Sequence, residues 1–188
     1  KRFKVDNKRE RYLELGEIKI LLEQTKCKEH LYIFAQLALQ TGARLSTILS
    51  LCKKDIKFET NSIILTDHKN SSTYTGFYND MLKELLIKHV RGLNSNDRLI
   101  NKHKQTIQDQ LTKIFTTQFN QDLDKDDRKN RVVTHTLRHT FASHLAINGT
   151  PIFTIQKLLN HKDINMTLRY AKLAPDSGKD MVQKLYKL

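Results

Sequence analysis

The sequence predicts a mainly α-helical chain carrying a small three-stranded antiparallel β-sheet, an α+β arrangement, on the strength of three observations. Proline and glycine are scarce, two and six among 188 residues, which disfavours a turn-rich all-β design. Apolar residues recur at three- and four-residue spacing toward both ends of the chain, the period of a helix with one buried face. Between these stretches, residues 55–75 switch to short runs rich in β-branched side chains, separated by polar turns.

Taken in order, Leu15, Ile18, Leu21 and Leu22 mark a first amphipathic helix, and Leu31, Phe34, Ala35 and Ala38 a second that Gly42 stops. Leu45, Ile48 and Leu49 resume the helical spacing, so Arg44 opens a short helix and presents its side chain from the N-terminal end. Asp55-Ile56-Lys57-Phe58, Ser62-Ile63-Ile64-Leu65 and Ser72-Thr73-Tyr74-Thr75 are the three strands, with a turn at Glu59-Thr60-Asn61 and a polar connection over Asp67–Ser71. The helical period then returns over 79–91, 106–121, 135–148, 151–160, 164–173 and about 177–187. Thr150-Pro151 places proline at the first helical position after a Gly149 stop. The segment Gln121–Arg131 is rich in charge and poor in apolar residues, and is expected to be an exposed loop.

Thirty-three Lys and Arg face 20 Asp and Glu, a formal charge of +13, which favours a polyanionic partner, nucleic acid first. Charged residues interrupt every apolar stretch well short of the ~18 residues needed to span a bilayer. Nothing at the N-terminus reads as a signal peptide, so a soluble, cytoplasmic protein is expected, with no membrane partner. Cys27 and Cys52 lack metal-site spacing and are expected to be reduced, partly buried thiols. The basic opening, residues 1–12, reads as a linker to a domain spanning 13–174, followed by a tail at 175–188.

The densest polar cluster is His135-Thr136-Leu137-Arg138-His139. On a helix, His135, Arg138 and His139 fall within an arc of about 100°, an arrangement that can surround an anionic oxygen cluster. Zinc fits this segment poorly: no H-E-x-x-H glutamate is present, an arginine occupies the middle of the face, and His144 points the opposite way. Taken singly, the other candidates have ordinary explanations. Lys69 suits a solvated hairpin, His161 a helix C-terminus, and Tyr170 a half-buried position on an amphipathic helix.

Their joint order carries more. T-G-A-R-L-S at 41–46, a hairpin lysine, H-T-L-R-H-T-F-A-S-H-L at 135–145, L-L-N-H at 158–161 and a tyrosine nine residues later resemble the catalytic domain of the tyrosine recombinase (phage-integrase-like) family, most of all its Xer-type members. The resemblance spans about Leu13 to Lys184. It implies that Tyr170 attacks a scissile DNA phosphate, forming a 3′-phosphotyrosyl link and releasing a 5′-hydroxyl. Arg44 and Arg138 would bind the nonbridging oxygens, for which guanidinium forks are suited. Lys69 would protonate the leaving oxygen, His135 would hydrogen-bond the phosphate and help take the tyrosine proton, and His161 would donate to a nonbridging oxygen. His139 would support the site. Since one phosphodiester is exchanged for another, no cofactor, ATP or metal is implied.

The resemblance also implies partners and a setting: a double-stranded DNA recombination site, other protomers in a tetramer on two such sites, and a nucleoid-associated place in the cytoplasm of a bacterial-type cell. Chromosome-dimer resolution, with its part in chromosome partition and cell division, is the role nearest the Xer likeness; integration and transposition use the same chemistry. A type IB topoisomerase, a non-catalytic DNA-binding relative and a metallohydrolase using His135 and His139 are the rival readings. Two features depart from the family pattern. Thr47 stands where a carboxylate usually orients the active-site arginine and histidine, and losing one neutral hydrogen bond in Thr47→Ala is expected to slow cleavage about tenfold. The family's N-terminal core-binding domain is also expected to be absent. The tail, through Met181, Val182 and Leu185, either docks on a neighbouring protomer or folds back on its own domain.

Overall fold

The structure is a computed structural model that describes residues 11–68, 71–124, 126–176, 178, 182 and 183. Lys69, the linker-like residues 1–10 and most of the tail, Met181 and Leu185 included, lie outside the described residues.

Three helices open the described chain: α1 (Leu15–Thr25), α2 (Glu29–Thr41) and the short α3 (Leu45–Ser50). The Glu17 carboxylate accepts the backbone N–H of Glu14 at 2.9 Å, closing the exposed start of α1. Helix α2 buries Leu31, Ile33, Phe34, Ala35, Leu37 and Ala38, more than one stripe, so it is the helix around which most of the others pack. It ends at Gly42, whose φ of 62° is left-handed.

A 3-10 turn (Lys53–Asp55) leads into the antiparallel sheet β1 (Ile56–Lys57), β2 (Ser62–Asp67) and β3 (Ser72–Phe77), in that spatial order. In β2 the inward positions are Ile63, Leu65 and Asp67, all buried, with Thr66 exposed between the last two. The period of two thus carries a carboxylate onto the core side of the sheet.

The rest is helical: α4 (Asp80–His89), α5 (Lys104–Phe119), α6 (Thr134–Ile147), α7 (Ile152–Leu158) and α8 (Asn165–Leu168), then a 3-10 turn (Ala171–Leu173). The Asn79 side chain caps α4 by accepting from Leu82 N–H at 3.0 Å. Pro151 is the residue before α7 and not its first helical residue, a difference of one position at a helix end. The predicted loop at 121–131 is exposed over most of its described length. Its neck is clipped by the Asn120 side-chain amide, which donates to Val132 O at 2.9 Å and accepts from Val132 N–H at 2.8 Å.

Helix α6 is held at depth. Thr140 Oγ1 accepts Leu13 N–H at 2.9 Å, and His144 Nε2 meets Leu13 O at 2.8 Å. The larger apolar core joins α1–α6 and the sheet; a smaller one gathers Ala142, Ala146, Ile155, Leu159 and the ring of Tyr170. Cys27 is exposed, contrary to the partly buried expectation, because it lies in the turn after α1 and not on an apolar face; Cys52 is partly buried, and both thiols are free.

Candidate active site

Arg138 lies on the buried face of α6, and only 3% of its surface is exposed. A guanidinium at that depth needs acceptors. Two helix ends supply them: Nη1 donates to Gly42 O at 2.8 Å, and Nη2 donates to Leu159 O. These carbonyls belong to the C-cap residues just past α2 and α7, where the helical ladder leaves carbonyl oxygens unpaired. Gly42 is required for this. Its φ is left-handed, and a Cβ there would sit 2.4 Å from Phe141 Cδ1. Burial, and then the neighbouring charge of Arg44, lower the Arg138 pKa from its ordinary value.

Arg44 is the N-cap residue of α3, with extended backbone. Its Nη1 forms an ion pair with Asp67 Oδ2, on the inward face of β2. Thr47, three residues along α3, is fully buried, and its Oγ1 has no hydrogen-bond partner among the described residues. The tenfold loss expected for Thr47→Ala rested on a hydrogen bond that this hydroxyl does not make here. Asp67 is absent from the set of site residues expected from the sequence. The signal was the register Ile63-x-Leu65-x-Asp67, an acid in series with two core positions.

The tyrosine and histidines line the same cavity as Arg138. Tyr170 Oη lies 2.6 Å from His139 Nδ1, and the His135 ring stands edge-on to His139 with centroids 4.8 Å apart. His139 is buried and His135 exposed, as their places on α6 dictate. Tyr170 is 4% exposed and does not lie on a helix body. Its N–H bonds Thr167 O and its carbonyl accepts from Leu173 N–H, three-residue spacings that tighten the chain after α8. The helix expected over 164–173 is thereby divided in two. Burial raises the Tyr170 pKa, while Arg169 and Arg138 pull it the other way. The phenol is therefore protonated at neutral pH, with an imidazole nitrogen on its oxygen.

His161 follows α7 after Asn160, which takes the left-handed conformation (φ 52°). Asn160 Nδ2 donates to Ser72 Oγ at 2.9 Å, which ties this corner to β3. His161 Nδ1 is engaged by Thr167 Oγ1 at 2.9 Å, leaving Nε2 for the cavity. Burial, then Arg138 and Arg44, lower its pKa to about 4, so the ring is neutral at pH 7.

A cavity of about 360 Å³ is lined by Arg44, Arg138, His135, His139, His161 and Tyr170. The expected site residues within the described chain thus share one hollow, with Thr47 buried in the adjoining helix. A cleft of about 340 Å³ continues from it past Arg44, His135 and Arg138 to Ser46 and Lys104. A wider one, about 660 Å³, runs on from Ser46 and Lys104 to Arg98, Lys102, His103 and His68. Two guanidiniums beside imidazole rings suit a single phosphodiester, and the basic clefts suit the strand that carries it. Among the described residues, no group of three or more His, Cys, Asp or Glu is placed to hold a metal ion, and no helix is long and apolar enough to cross a membrane.

Comparison with known proteins places this geometry. The chain is 34% identical over 163 residues to the tyrosine recombinase XerA of Saccharolobus solfataricus, covering 86% of this chain and 53% of that protein. It is 30% identical over 178 residues to a putative integrase of Pseudomonas phage Pf1, covering 94% of this chain and 49% of the relative. The chain therefore spans about half the length of these curated relatives. The solved catalytic domain of bacteriophage HP1 integrase superposes with a TM-score of 0.71 at 27% identity, covering 93% of this chain and 94% of that one. The family model described as the phage integrase family matches residues 11–176. With its helices, hairpin and polar hollow all inside that match, the chain belongs to the phage integrase family.

Proposed function

We propose that the chain is the catalytic unit of a site-specific DNA recombinase that breaks and rejoins duplex DNA through a covalent 3′-phosphotyrosyl intermediate. The observation that carries this reading is the convergence of Tyr170, its hydrogen-bonded His139 and the paired guanidiniums of Arg44 and Arg138 on one hollow. Tyr170 Oη attacks phosphorus and its proton passes to an imidazole. His139 Nδ1 is already in contact, beside His135, to which the resemblance gives that role. The bond from phosphorus to the 5′-oxygen breaks, and that oxygen takes a proton from Lys69. The arginines stabilise charge on the nonbridging oxygens, held firm because Arg138 is bound to two backbone carbonyls. Neutral His161 adds a ring nitrogen toward the same oxygens.

The substrate is double-stranded DNA, whose strand follows the basic clefts past Lys104 and Lys102. In this reading residues 13–174 form the catalytic domain, 1–12 a linker and 175–188 a tail used between protomers of a tetramer on two sites. Chromosome-dimer resolution in the cytoplasm, on the nucleoid, is the role that the H-T-L-R-H-T-F-A-S-H-L segment and the XerA likeness favour. Integration is the second reading, favoured by the likeness to the phage Pf1 and HP1 proteins. The test is a nicked suicide duplex from which the 5′-hydroxyl fragment diffuses away. Wild type is expected to leave a covalent protein–DNA adduct on a denaturing gel, with or without EDTA, and Tyr170→Phe none. Absence of an adduct in wild type refutes the proposal, and strand cleavage that leaves no adduct and stops with EDTA favours a metallohydrolase.

A further inference from the structure

We propose that Asp67 is the positioning residue of this active site, a carboxylate supplied by strand β2 that orients Arg44 toward the scissile phosphate. The inference rests on the recombinase reading above and adds a residue to it. Four observations carry it. Asp67 continues the inward register of Ile63 and Leu65, and its side chain is 1% exposed. A carboxylate at such a place is costly unless it is paired and hydrogen-bonded. Its Oδ2 meets Nη1 of Arg44, a residue of the site cavity. Thr47, the side chain one turn along α3 from Arg44, brings no charge and makes no hydrogen bond through Oγ1 among the described residues, so it does not orient the guanidinium.

The geometry also says why a strand suits this task. Asp67 pairs with Ser72 in the β2–β3 register, so its backbone is fixed on the sheet while Arg44 is fixed at the start of α3. The ion pair spans the two elements and occupies one of the five N–H donors of the guanidinium, leaving the others for phosphate oxygens. Being buried, the carboxylate cannot turn to solvent when DNA arrives. Arg44 therefore enters the complex already aimed, with little rotamer freedom left to lose. In the sequence, Lys69, the residue assigned to protonate the leaving group, follows Asp67 by two positions.

The test is Asp67→Asn, which keeps the shape and removes the charge. At saturating suicide duplex, adduct formation is expected to slow by roughly 10- to 100-fold while duplex affinity changes less than threefold. On a duplex whose scissile phosphate is a methylphosphonate, one charged oxygen that Arg44 would hold is gone, and the variant is expected to fall within threefold of wild type. Equal slowing on both substrates would mean a merely structural role and overturns the proposal, as does full activity on the natural phosphate. A second measurement needs neither activity nor a folded variant. In wild-type protein without DNA, the Arg44 guanidinium ¹⁵N–¹H signals are expected to show restricted rotation about Cζ–Nη; free rotation overturns the proposal. Wild type that makes no adduct yet shows restricted Arg44 signals refutes the recombinase reading and leaves the Asp67–Arg44 pair standing.

Discussion

Replacing Gly42 by alanine perturbs the site without touching any group that reacts. The backbone there has φ 62°, a conformation that costs an L-residue roughly 1–2 kcal/mol. The added methyl would sit 2.4 Å from Phe141 Cδ1 and 3.0 Å from Leu159 Cδ2, against an ordinary carbon contact of about 3.5–4.0 Å. The Phe141 ring must therefore withdraw by roughly 1 Å, an overpacking cost of about 1–3 kcal/mol. Together these destabilise the fold by about 2–5 kcal/mol, which for a chain of this size lowers Tm by roughly 4–20 °C. The same shift moves the carbonyl that holds Arg138 Nη1, so cleavage should slow even well below the melting transition. Calorimetry and single-turnover adduct formation at 20 °C measure the two effects. In Gly42→Ala with Phe141→Leu, the shorter side chain relieves the overlap and leaves the φ cost, so part of the Tm loss should return. A Tm drop below about 2 °C for the single variant would refute the steric argument, and unchanged cleavage would refute the claim that Gly42 supports Arg138.

Three further outcomes are expected. His139→Gln keeps a hydrogen-bonding amide near Tyr170 Oη but no basic nitrogen, so adduct formation should fall about 100-fold or more at unchanged DNA affinity; a loss below threefold would show that another group takes the proton. His161 has a folded pKa of about 4, below the ordinary 6.5, so between these values the unfolded chain binds more protons, and stability is lost as pH falls through that window. Urea titrations of wild type and His161→Gln should show a shallower pH slope for the variant between pH 6.5 and 4; identical slopes contradict the assignment. Lys102→Ala and Lys104→Ala should each weaken duplex binding and reduce the slope of log affinity against log salt by about 1; unchanged slopes would place the DNA elsewhere.

The helical framework was legible because it depends on local rules. Apolar spacing marked α1, α2 and α6, and glycine marked the ends of α2 and α6. The shared arc of His135, Arg138 and His139 followed from helical geometry alone, but the exposure of His135 beside two buried neighbours did not. What escaped depends on tertiary placement. Helical spacing cannot say which of His135 and His139 faces Tyr170, because that requires knowing where the chain after α8 returns. The tightening around Tyr170 was hidden for a related reason: Asn165–Leu173 has helical spacing, but its ring is drawn into the small core of Ala142, Ile155 and Leu159. In the sequence Asp67 reads as part of the polar connection after the second strand, since an acid beside His68 and Lys69 suits a turn. Only the extension of β2 to residue 67 turns it inward toward Arg44.

The central claim is that Tyr170 becomes covalently bound to a 3′-phosphate. The direct measurement is mass spectrometry of the adduct trapped from a pool of nicked duplexes of varied sequence, after digestion of protein and DNA. The account predicts one modified peptide, carrying a nucleotide through its 3′-phosphate on Tyr170, and 5′-hydroxyl ends on the released strand. Attachment to a different residue, or a 5′-phosphate link on Tyr170, would contradict it.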